Sequence, residues 1–281
     1  GDFIGATTSQ VKDHFTYMNS VPSEMIFWTV VVIIIGFLVC SLGLQNGVEK
    51  ISKGMMIALL VIMAVLAMNS IFLKGASKGL YFYLVPDFQQ IKNIGLINVL
   101  VAAMNQAFFT LSIGMGSMTI FGSYLSKDHS LLGESINIVA LDTFVAIVSG
   151  LIIFPSCFAF GVNPDQGPSL IFVTLPNIFI KMPGGRIIGS CFFIFMAFAA
   201  FSTVIAVFEN IMSSCMDLWG WGRKKTALIN TILIIIGSIP CVLGFNILSG
   251  FHPLGKGTNV MDLEDFLVSN LILPIGSLIY T

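Results

Sequence analysis

The sequence is poor in charge, and its long apolar runs contain no Lys, Arg or His. Only 10% of the 281 residues are charged, and 13 Lys+Arg against 14 Asp+Glu leave a net charge of −1. Such a chain has no basic field for nucleic acid and no acidic tail. Cysteine is scarce as well. Cys40, Cys157, Cys191, Cys215 and Cys241 sit inside apolar runs without CxxC spacing, which argues against a zinc site or a disulfide framework, and they read as small core hydrophobes. His14, His129 and His252 all lie in loops, so an intramembrane metalloprotease or serine protease is excluded, and no enzyme is expected. The polar segment from Gly1 to Glu24 lacks the charged and apolar regions of a signal peptide. It reads as an extracellular loop remnant, the chain beginning part-way through a larger protein.

What the sequence has in abundance is apolar residues, 56% of the total, with a mean hydropathy of +0.95. This excludes a soluble domain. A helical span needs about 20 mostly apolar residues, because each backbone polar group must be paired within the segment. Seven stretches approach that length: Met25 to Leu44, Met55 to Leu73, Ile94 to Leu125, Ile136 to Phe160, Ile187 to Cys215, Ala227 to Phe245, and Phe266 to Thr281. Residues 25–281 therefore read as one all-α, polytopic membrane core. Leu170 to Ile180 is too short to span and should form a short helix or helix pair lying over a surface. Lys50, Lys53, Lys127, Arg223, Lys224 and Lys225 are concentrated in short loops of one side, which the positive-inside rule places in the cytoplasm, with the N-terminus outside.

Two acids lie well inside the apolar runs, Asp142 and Glu209. Buried carboxylates are costly in a bilayer and are functional candidates. With no cation at depth, the partner of Asp142 is a metal ion, a proton or a residue outside the sequence. Glu209 sits nearer the cytoplasmic end, where it can also snorkel. The third stretch is too long for one straight helix and is interrupted at Ser112-Ile113-Gly114-Met115-Gly116-Ser117. Glycines lower the cost of unwinding, and an unwound backbone is tolerated only where it lines a cavity or binds something. A half-helix ending near Leu111 would present free carbonyls to Na⁺ or an ammonium group; a small-residue packing face is the alternative. Ala199, Ser202 and Thr203 supply hard oxygens of the kind a small cation needs. Their hydroxyls could equally bond the preceding turn.

Gln106-Ala-Phe-Phe-Thr-Leu-Ser-Ile-Gly-Met-Gly-Ser117, followed by Tyr124, resembles the broken sixth helix of the neurotransmitter:sodium symporters, which have the LeuT-type inverted-repeat fold. FVTLPNIF with PGG, AAFSTVIAVFEN and the RKK that opens the next helix extend the likeness. The seven stretches then look like helices four to ten of eleven or twelve. The resemblance implies a sodium-coupled symporter of an apolar amino acid, working by alternating access in the plasma (inner) membrane, with the bilayer as partner, two Na⁺ ions and a homodimer left open. It gives substrate contacts to Phe109, Thr110, Ser112, Met115, Thr203 and Val207. Sodium ligation falls to Thr110, Asp142, Ala199, Ser202 and Thr203, and gating to Gln106, Asp217 and Asp265. Asp142 stands where an Asn usually ligates sodium, and Ala146 replaces the Ser that helps to bind chloride. A fixed carboxylate can supply the charge that an anion would otherwise bring, so chloride should not be required. In the fifth helix Gly47 is present, but Ile57 stands where a Pro is usual, which puts the inward-release route in question. Three other readings remain: a seven-helix receptor, a channel, which the missing ring of acids disfavours, and a truncated fragment without activity.

Overall fold

The computed structural model describes residues 8–42, 48–116, 118, 119, 122, 125, 128–161, 170–181 and 184–280. Gly47, Ser117, Tyr124, Lys127 and Pro183 lie outside them. The described elements are helical throughout: α1 (Thr8–Ser20), α2 (Pro22–Leu42), α3 (Val48–Ile71), α4 (Ala76–Leu84), α5 (Phe88–Ile94), α6 (Leu96–Thr110) and α7 (Leu131–Phe160), then a π turn (Leu170–Thr174), α8 (Leu175–Lys181), α9 (Gly185–Trp219), α10 (Arg223–Leu243), α11 (Val260–Leu267), a second π turn (Val268–Ile272) and α12 (Leu273–Tyr280). Among these residues, four helices are long and apolar enough to cross a membrane, namely α2, α7, α9 and α10. The number rises to six if each of two bent pairs is one span.

The bends revise the expected boundaries. The helix of the second apolar run ends at Ile71, and the chain then turns by 114° into α4. The third does not begin at Ile94, because the chain turns by 95° between α5 and α6 at Gly95, whose φ of 94° suits glycine. The seventh run is helical from Val260 to Tyr280 but passes through the second π turn. Within the stretch expected to be a loop, residues 8–20 form α1.

The chain divides into two compact units. The first comprises Gly1–Met18, Gly47–Gln89 and Ala140–Ala200. Its core joins Met63 and Leu66 of α3, Val148 and Ile152 of α7, Leu175, Ile178 and Phe179 of α8, and Phe192 of α9. The expectation that 170–180 lies over a surface is corrected here. Val173, Thr174, Leu175, Ile178 and Phe179 are buried, because Leu175, Ile178 and Phe179 pack into the core shared with α3, α7 and α9. A buried Ser70–Ser156 hydroxyl pair at 2.8 Å ties α3 to α7.

The second unit comprises Asn19–Asn46, Gln90–Val139 and Phe201–Thr281. Here α10 runs along α2, and Phe37 of α2 stacks on Phe208 of α9 with ring centroids 4.1 Å apart. Gly36 admits that ring, since a Cβ there would come within 2.7 Å of it. Glu209 is buried and paired within the chain. The Arg223 guanidinium donates to both its carboxylate oxygens, at 2.7 and 2.5 Å, and to the Cys40 carbonyl at 2.7 Å. The pair joins the chains of α9, α10 and α2 at one point.

Removing Arg223, whose side chain is 33% exposed, leaves the buried Glu209 carboxylate uncompensated. The cost falls below that of a fully buried pair, about 3–5 kcal/mol, whereas replacing both with apolar groups is near neutral. Arg223→Met alone should therefore lower the melting temperature of the purified protein sharply. The double variant Glu209→Met/Arg223→Met should recover most of the loss.

Candidate functional site

The break after α6 is built by a helix cap placed in the middle of an apolar run. Ser112 takes φ 54°, the one left-handed non-glycine residue among those described. Its N–H donates to the Phe109 carbonyl at 3.1 Å, and that of Ile113 to the Phe108 carbonyl at 2.9 Å. This is the paired bonding of a Schellman end, normally formed around glycine. The Leu111 N–H bonds to the Ala107 carbonyl at 3.1 Å. The carbonyls of Ala107, Phe108 and Phe109 thus each accept a hydrogen bond from the cap. Beyond it, Gly114 and Gly116 have φ of 86° and 77°, so the chain leaves the helix through alternating left-handed positions that only glycine takes without strain.

Two neighbours hold this unwound segment. On α12, Gly276 lies against the Gly114 carbonyl, and a Cβ on Gly114 would overlap the Leu273 carbonyl. Close backbone approach of this kind is how small residues pack helices in membranes, where apolar burial gives no net drive between helices. On α9, the Asn210 side-chain amide donates to the Met115 carbonyl at 3.2 Å. Further up α6, the Asn105 amide donates to Asn270 Oδ1 in the second π turn at 2.7 Å. Asn105 is 8% exposed, and its own Oδ1 has no hydrogen-bond partner. π turns free backbone groups and often mark functional positions.

The residues expected to contact substrate fall on faces left open by this packing. Gln106, Phe109 and Thr110 of α6 are exposed, at spacings of three and four residues. On α9, Ile205, Phe208, Glu209 and Met212 are buried, while Thr203 and Val207 are exposed one turn apart. Ser112 and Met115 are half-buried within the break. Ala199, Ser202 and Thr203 follow one another on a single face of α9. Of the expected gates, Asp217 is exposed near the end of α9. Asp265 is exposed on α11, where it accepts the Ser269 hydroxyl at 3.0 Å. An Asn259–Asp262 capping box fixes the start of α11.

Asp142 and Ala199 belong to the first unit, and the other ten candidates to the second. Asp142 is half-buried on α7. One turn later, the Tyr83 hydroxyl lies 3.4 Å from the carbonyls of Ala146 and Ile147, and Gly150 leaves room for the Tyr83 ring. Among the described residues, no three His, Cys, Asp or Glu side chains group as a metal site. The oxygens on offer are hydroxyls, backbone carbonyls and single carboxylates, hard donors that suit an alkali cation. Asn105, Asn210, Asn270, Gly276 and Tyr83 are absent from the expected site. Amides within apolar runs were the available signal for the first three, since a polar group at depth must find a partner.

A sequence profile of the sodium:neurotransmitter symporter family matches residues 10–252. The chain is 32% identical over 279 residues to an uncharacterized sodium-dependent transporter of Bacillus subtilis, YhdH, covering 99% of this chain and 60% of that protein. It is 30% identical over 281 residues to an uncharacterized sodium-dependent transporter of Haemophilus influenzae, again with 99% and 60% coverage. The crystal structure of MhsT in complex with L-phenylalanine superposes with a TM-score of 0.86 at 37% identity, covering 95% of this chain and 60% of that one. The chain therefore spans about 60% of the length of the relatives it matches.

Gly114→Ala would force a left-handed Ala, at roughly 1–2 kcal/mol, and would also press its methyl into the Leu273 carbonyl. Melting in detergent should show a clear loss of stability. Gly237→Ala, with nothing within 4 Å of the added methyl, should leave the melting temperature unchanged or slightly raised.

Proposed function

The chain belongs to the sodium:neurotransmitter symporter family, and from that premise we propose that it serves a LeuT-type secondary transporter. In this reading, inward Na⁺ movement drives uptake of an apolar amino acid by alternating access. The observation that carries it is the capped break at 111–116, with its backbone held by Asn210 of α9 and by α12; Phe109 and Thr110 on α6, and Thr203 and Val207 on α9, are exposed. An irregular backbone at such depth needs a cavity or a ligand. A seven-helix receptor would have no need of such a break.

Phe109, Thr110, Ser112, Met115, Thr203 and Val207 would contact the substrate. The flexible, polarizable Met115 fits an apolar side chain, as does the phenylalanine held by the similar MhsT. Thr110 and Asp142 would ligate one Na⁺, and Ala199, Ser202 and Thr203 a second, through hydroxyl and carbonyl oxygens. Gln106 and Asp265 would form the outer gate and Asp217 the cytoplasmic one. The first segment of the chain would then lie outside, residues 25–281 would form the core in the plasma membrane, and a homodimer is compatible with this arrangement. Two ions crossing 100 mV supply about 4.6 kcal/mol, at about 2.3 kcal/mol per charge, enough to concentrate substrate more than a thousandfold.

The Asp142 carboxylate would stand in for chloride. Full-length protein in liposomes should take up labelled leucine or phenylalanine in an inward Na⁺ gradient, with the same rate in chloride and in gluconate. Uptake without Na⁺ would refute the coupling, and loss of uptake in gluconate would refute the role of Asp142. Asp142→Ala should raise the half-saturating Na⁺ concentration at least about tenfold, because a unit charge 4 Å from a cation is worth about 4 kcal/mol at an effective dielectric constant of 20.

A further inference from the structure

We infer that Asn210 is a positioning residue for substrate side-chain selection, acting through the Met115 carbonyl. The inference rests on the transport reading above and extends it to a residue outside the proposed substrate and ion contacts.

The argument begins with the backbone. Met115 lies between Gly114 and Gly116, with φ of 86° and 77°. Glycine populates both signs of φ at little cost, so the peptide units on either side of Met115 can rotate unless something outside the segment fixes them. Gly114 is fixed on one side by its approach to Leu273 and Gly276. The peptide after Met115 is held by the Asn210 amide, which donates to its carbonyl at 3.2 Å. Without that anchor the segment between the two glycines can shift as a whole, and the Met115 side chain would move with it.

The position of Asn210 on α9 supports the same conclusion. Thr203, Val207 and Asn210 are spaced by four and three residues and so form one stripe of the helix. The adjacent Glu209 points instead to Arg223. The stripe that carries the proposed substrate contacts thus ends, one turn beyond Val207, on the amide that fixes the wall opposite. An Asn in an apolar helix is unfavourable by propensity and by burial, and the Met115 carbonyl is a partner that offsets the cost.

The consequence is a defined pocket depth. With the carbonyl held, the Met115 thioether occupies one region, and large and small apolar substrates are told apart by the space left. Without the anchor, the wall yields and discrimination falls.

The test uses the full-length protein in liposomes, with KM and maximal rate measured for alanine, leucine and phenylalanine at saturating Na⁺. Asn210→Ala and Asn210→Asp both remove the amide donor; Asn210→Gln keeps it on a longer arm. The ratio of KM values for phenylalanine and alanine should shift by roughly 3- to 10-fold in the Ala and Asp variants, the range expected for one lost hydrogen bond. In the Gln variant the ratio should return toward that of the unmodified protein. A uniform fall in maximal rate with unchanged KM ratios in all three variants would overturn the inference, leaving Asn210 a packing residue. If the Ala and Asp variants fail to reach the membrane, Asn210→Ser carries the test, because a shorter hydroxyl donor should shift the ratio in the same direction. Absence of Na⁺-driven uptake by the unmodified protein would count against the transport reading itself, so the two failures are distinguishable.

Discussion

A backbone that leaves the helix inside a membrane must find partners for its N–H and C=O groups within the protein, because lipid supplies none. The segment after Thr110 meets this constraint in three ways. The helix end closes on itself through the carbonyls of Ala107, Phe108 and Phe109, with Ser112 in the left-handed region. A close glycine contact seats the middle of the segment on α12. An amide from α9 takes the Met115 carbonyl. Each device uses a small or polar residue at a position where an apolar one would leave a bare backbone. The geometry around the break, and the open faces beside it, follow from satisfying those groups.

Helix α9 shows how one element serves packing and chemistry together. Its buried stripe, through Ile205, Phe208 and Met212, closes the second unit, and Glu209 is neutralised there by Arg223 at the start of α10. The stripe through Thr203, Val207 and Asn210 faces the other way. An ion pair that fixes the helix about its axis also sets the direction in which its hydroxyls and its amide point. A charge pair of this kind adds little net stability relative to an apolar replacement; here its effect is on orientation.

Much of this was legible in the sequence. The apolar runs located α2, α7, α9 and α10 to within a few residues, because length and hydropathy are set by the bilayer and not by neighbours. The glycines at 114 and 116 marked the break for a similarly local reason: few other residues take a positive φ. The rest depended on tertiary partners. Nothing near Glu209 in sequence announced Arg223, fourteen residues on and across a turn. Segment 170–180 reads as too short to span, but whether a short apolar helix rests on a core or fills it depends on the helices around it. The role of Asn105, Asn210 and Asn270 was hidden because an amide pairs with whatever lies opposite, and attention to charged and hydroxyl side chains passes over it.

The central claim is that the capped break and the stripe on α9 together form a sodium-dependent site for an apolar amino acid. Equilibrium binding of radiolabelled phenylalanine to the purified full-length protein, titrated with Na⁺ at constant ionic strength against K⁺, tests it most directly. Saturable binding should appear only with Na⁺, and its affinity should rise as Na⁺ rises. Binding of equal affinity in K⁺ alone would contradict the account.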